Sequence, residues 1–129
     1  VLNVKRILVL VAAGLIMSGA QAQDDIENLI VLPDDAQKCV LPAAPDAIPE
    51  EATLDELKAA KSNIADFQVK LGGFRDCLAA AESDEDLTAG NKQAIVESYN
   101  YSVEMEERVA QRFNEAVADY KARKAAAEG

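Results

Sequence analysis

Two cysteines and a surplus of carboxylates are the side chains in this sequence with chemistry to offer, and histidine is absent. Without imidazole there is no Ser-His-Asp or Cys-His nucleophile, no general base poised near neutral pH, and no ligand of the commonest transition-metal type. Carboxylates alone can serve a glycoside hydrolase, but that reaction needs two of them facing each other across a sugar-binding cleft. A chain without Trp, built on the helical plan derived below, offers no evident cleft. An enzyme is disfavoured, and no catalytic residues, cofactor or metal are expected.

Two acidic features invite a sharper reading. Asp84, Asp86 and Thr88 occupy alternate positions between two helical stretches, as in a calcium loop. The decisive positions fail, because Ala89 stands where the loop needs glycine and Ile95 where it needs a bidentate glutamate. The acids read as capping charges on a solvated turn. Glu106 falls between Val103 and Ala110 in an apolar stripe, where a lone buried carboxylate would cost several kcal/mol. It is expected to pair within the chain, near Lys61 and Asn63. The competing reading is that Glu106, with Asn100 and Asn114, fixes register against another chain, as polar seam residues do in coiled coils.

The cysteines take their meaning from compartment. Lys5 and Arg6 precede an apolar run over residues 7–17, and Ser18-Gly19-Ala20-Gln21-Ala22 ends in the small-x-small pattern of a signal-peptidase site. Residues 1–22 read as a cleavable signal peptide cut after Ala22, which places the chain in a Gram-negative periplasm. The run is shorter than the roughly 18 apolar residues of a membrane span, so no integral span is expected after cleavage. In an oxidising compartment Cys39 and Cys77 are expected to form one disulfide. With no Cys-x-x-Cys, a structural staple outweighs a redox-active pair. Cleavage removes two of the 13 Lys and Arg and none of the 23 Asp and Glu, so net charge moves from −10 to −12. That charge disfavours nucleic acid and anionic membrane surfaces and serves solubility.

The elements that position these groups follow from proline and periodicity. Pro33, Pro42, Pro45 and Pro49 all lie in residues 23–52, which are expected to form an extended, polyproline-like arm. Its start, residues 26–32, is apolar enough for a short strand, a helical turn or a docking motif, with a packing segment preferred. Thr53 and Glu56 form a capping box that opens a first helix over residues 53–82. Its apolar positions, Leu57, Ala60, Ile64, Phe67, Leu71, Phe74, Leu78 and Ala81, alternate steps of three and four. Gly72 and Gly73 fall on the opposite face, read as tolerated. Ser83 or Thr88 caps a second helix over residues 88–124. Its seam is Val96, Tyr99, Val103, Glu106, Ala110, Phe113, Val117 and Tyr120, widened on one side by Ile95, Ser102, Val109 and Ala116. Residues 125–129 are expected to fray.

The fold class is therefore all-α: a long antiparallel two-helix hairpin with coiled-coil seams and a proline-rich arm packed back along it. A register centred on Glu85 sets Phe74 near Val96 and Leu57 near Phe113. Two helices cannot enclose a core, so such a domain needs a staple, a cover or a partner. Cys77 lies about 36 Å along the first helix, and the 14 steps from Cys39 to Thr53 span about 46 Å when extended. The disulfide therefore forms only if the arm runs back over the helices.

Three stretches carry a resemblance: Cys39-Val40-Leu41-Pro42, Phe74-Arg75-Asp76-Cys77-Leu78, and Arg112-Phe113-Asn114-Glu115-Ala116-Val117-Ala118-Asp119-Tyr120-Lys121. Together they resemble a group of small, uncharacterised, signal-bearing envelope proteins of proteobacteria. The resemblance implies a disulfide-stapled helical hairpin in the envelope and carries no activity. Function is accordingly expected to be that of a non-enzymatic periplasmic binding or structural module, partnered by itself as a homo-oligomer or by an envelope protein. The alternative is a small holdase-like chaperone that uses a surface exposed when the arm lifts.

Overall fold

The computed structural model describes residues 28–129. The signal peptide, its cleavage after Ala22 and the first two residues of the apolar segment 26–32 lie outside the described residues. Three helices follow, α1 (Asp34–Gln37), α2 (Leu54–Glu82) and α3 (Ala89–Glu128), and the two long ones pack on each other. Among the described residues no strand forms, and no helix is long and apolar enough to cross a membrane.

Local chemistry sets the helix ends. The Thr53 hydroxyl accepts the Glu56 amide and the Glu56 carboxylate accepts the Thr53 amide, a reciprocal box that satisfies two otherwise unpaired donors. Thr88 caps α3 in the same way, with Asn91 in place of the acid. Ser83, the other candidate, instead closes α2, its hydroxyl donating to the Ala80 carbonyl. At the far end α3 continues to Glu128, past the limit at residue 124 that the sequence reading set. The alanines 125–127 are strong helix formers, and no Gly or Pro intervenes before Gly129.

α2 buries the stripe read from its periodicity: Leu57, Phe67, Leu71, Phe74, Leu78 and Ala81 are buried, with Ala60 and Ile64 half-buried. α3 is rotated relative to expectation. Ala94, Ile95 and Ser102 are buried, whereas Val96 and Tyr99 remain 48% and 45% exposed. The arm supplies the reason. Ala36 joins Phe74, Leu78, Ala81 and Ile95 in one core cluster, with Leu32, Cys39 and Leu87 packed against it. Apolar material on that side draws Ile95 inward and leaves the Val96 side uncovered. Farther along, Val103, Ala110, Phe113, Val117 and Tyr120 are all half-buried.

The arm is irregular apart from α1, a single turn the prolines permit because it fits between Pro33 and Pro42. Residues 29–32 are neither strand nor helix. They pass over the first turn of α3, where the Leu29 carbonyl occupies the space a Cβ on Gly90 would need and Asn91 donates to the Val31 carbonyl. The arm then reaches α2 at Cys77 through the disulfide, Cα to Cα 5.6 Å. Its end meets the other end of α3, where Arg123 donates to the Glu50 and Ala52 carbonyls.

Candidate functional site

The most developed polar arrangement lies between the two long helices. Arg75 sits at the edge of the α2 stripe, one residue past Phe74. Its Nε donates to the Ser102 hydroxyl at 2.8 Å and its Nη2 to the Glu106 carboxylate at 2.8 Å. Ser102 is fully buried, and its hydroxyl donates in turn to the Tyr99 carbonyl. The Arg75 guanidinium also lies 5.7 Å from the centre of the Tyr99 ring, within cation–π range. Each polar group is thereby satisfied, and no buried side-chain nitrogen or oxygen lacks a partner among the described residues.

Glu106 therefore pairs within the chain, but its partner is Arg75 in place of Lys61 or Asn63. The α3 rotation turns Ser102 to the centre of the contact, and the length of the arginine side chain bridges the remaining distance along the helices. Asn100 and Asn114 are exposed and stand apart from this network. Arg75 itself was missed as a site residue. The signal was present: a cation at the edge of a stripe that contains one acid. The network holds a cation, a hydroxyl and a carboxylate in mutual bonds between the two long helices.

The acidic turn is occupied with its own backbone. Asp84 accepts the Asp86 amide, and the Thr88 hydroxyl accepts the Asn91 amide. No group of three or more metal-ligating side chains converges among the described residues. Asp35 and Lys38 form an exposed pair across one turn. The hydrogen bond from Lys38 and its charge hold the Asp35 carboxyl below its ordinary value and raise the Lys38 ammonium above its own.

Comparison with family models, curated proteins and solved structures finds no match for this chain. Its surface therefore has to speak through geometry. An open recess of about 500 Å³ lies where the start of the arm meets both long helices, with Ile30, Leu32, Leu41, Phe74, Leu78 and Tyr101 among its walls. Its rim is apolar as well: Ile30, Val31 and Tyr101 are each close to half exposed. Glu97 and Ser98 supply the polar edge. These residues come from three separate stretches of chain, and the sequence reading named only part of one of them, the segment ending at Leu32, as a docking candidate.

Proposed function

We propose that this chain is an exported, non-enzymatic helical module of the bacterial periplasm that binds protein, either a second copy of itself or another envelope protein. In this reading residues 1–22 are a signal peptide removed after Ala22, and the mature module is an antiparallel hairpin with the arm as its third layer. The Cys39–Cys77 disulfide suits an oxidising compartment.

One observation carries the binding role: the apolar recess formed by residues 30–32, Leu41 and Tyr101 with the long helices. Clustered exposed aliphatic and aromatic side chains are a mark of a protein-contacting surface, whereas scattered ones are ordinary. Tyr101 has the character of an interface anchor, a large rigid ring with a polar end. A photoreactive residue replacing Tyr101 should therefore form adducts in cells, with itself or with a second envelope protein. Ile30→Asp with Leu41→Asp should abolish them. A sharp monomer over a wide concentration range, together with no captured protein, would sink the reading.

A holdase-like chaperone is the second reading, and the placement of the arm favours it. Ala36 and Leu32 cover Phe74, Leu78 and Ile95, so lifting the arm would bare an apolar strip for unfolded clients. The purified protein would then slow client aggregation in proportion to its concentration; no slowing at any ratio disposes of this reading.

A further inference from the structure

The disulfide that ties the arm to α2 is open to solvent. Cys39 and Cys77 are both half-buried, and both line a recess of about 380 Å³ that also touches Lys38, Lys70 and Gly73. Gly73 lies one turn before Cys77 on the same face of α2. Nothing stands within 4 Å of the place where its Cβ would be, so the recess is open on this side. The Lys70 ammonium at the recess, in a chain of net charge −10, lowers the repulsion that an incoming thiolate would otherwise meet; Lys38 is already paired with Asp35.

Among the described residues the bond lies between two hydrogen-bonded ties on the arm. The first is Asn91 to the Val31 carbonyl, and the last is Arg123 to the Glu50 and Ala52 carbonyls. Between them the arm contributes Ala36, Leu32 and Cys39 to the core cluster. The long helices are also joined to each other directly, by the Arg75–Ser102–Glu106 network. Breaking the middle tie therefore acts on the arm and leaves the helix pair joined.

We propose that Cys39–Cys77 is a reducible catch, opened in the folded protein by a small dithiol, that frees residues 33–49 and bares Phe74 and Leu78. A thiolate of the dithiol attacks one sulfur, forming a mixed disulfide as the Cys39–Cys77 bond breaks and the other cysteine leaves as a thiolate. The second thiolate of the reagent then attacks its own sulfur in the mixed disulfide and releases the second cysteine. The cystine gains two electrons, the dithiol becomes a cyclic disulfide, and the two cysteine thiolates take up the two protons the reagent lost. This inference concerns the arm alone and stands whether or not the apolar recess takes a partner.

The test incubates the folded full chain with dithiothreitol in the absence of denaturant, following thiol release, far-ultraviolet circular dichroism and amide exchange. Reduction is expected to go to completion with a rate constant within about a factor of ten of that in denaturant. Amide exchange in the arm should rise by at least about tenfold while the helices keep their protection. A disulfide that reacts only after denaturation, helices that melt on reduction, or unchanged arm exchange would each overturn the proposal. The double variant Cys39→Ser with Cys77→Ser gives an independent route, since it should fold and show the open exchange pattern without reagent. Failure of that variant to fold would also overturn it, because no folded open state would then exist.

Discussion

At the scale of single residues the decisive arrangement is Arg75 with Ser102 and Glu106. The Arg75 and Glu106 side chains keep 20% and 28% of their exposure, so the pair is screened less than a surface pair and desolvated less than a core one. A double-mutant cycle with Arg75→Ala and Glu106→Ala should give a coupling of about 1 kcal/mol in urea denaturation, falling as salt is added. Ser102→Ala should cost a similar amount, about 1 kcal/mol, because it removes both an acceptor for Arg75 and a donor to the Tyr99 carbonyl. Asp35 and Lys38 are a contrasting case. With the Asp35 value lowered, its share of stability is present above the ordinary carboxylate range and is lost as pH falls through the folded value. With the Lys38 value raised, its share is present below the ordinary lysine value and lost as pH rises through the folded one. Both side chains stand in solvent, so Lys38→Gln should leave the melting temperature unchanged within error at neutral pH, as scanning calorimetry would check.

The glycines separate intrinsic helix preference from packing at the scale of elements. Gly72 and Gly73 lie inside α2 with free space where a Cβ would stand, so alanine at either should raise stability by about 0.5 to 1 kcal/mol. Gly90, in the first turn of α3, should respond with the opposite sign, because a methyl there meets the Leu29 backbone and must push the arm away. Chemical denaturation of the three alanine variants checks all of these together. The first cap was readable because it is local, Thr53 with Glu56 closing within four residues; for the second, Ser83 and Thr88 stood as alternatives and the structure shows Thr88, with Asn91 as its partner. Gly90 was not readable, because the group that demands it comes from residue 29, sixty-one positions earlier in the chain. The α2 stripe was likewise legible from spacing, whereas the α3 stripe was wide enough to rotate either way. The arm decided which way it turned.

For the whole molecule, two long helices packed together are too thin to enclose a core on their own. The disulfide spans 38 positions, and in the chain-entropy model a loop of that size contributes about 4 kcal/mol. Cys77→Ser should therefore lower unfolding free energy by up to about that amount in urea denaturation, with α-helical circular dichroism retained in native buffer. Local pattern alone sufficed for the two long helices, the capping box of α2, the buried stripe of α2 and the pairing of Cys39 with Cys77. It could do so because these depend on neighbours a few residues away or on there being only two cysteines to join. Tertiary packing set the rotation of α3, Arg75 as the partner of Glu106, and the gathering of residues 30–32, Leu41 and Tyr101 around one recess. Those outcomes depend on how three separated segments share limited apolar surface, and periodicity along one segment carries no record of where the other two will lie.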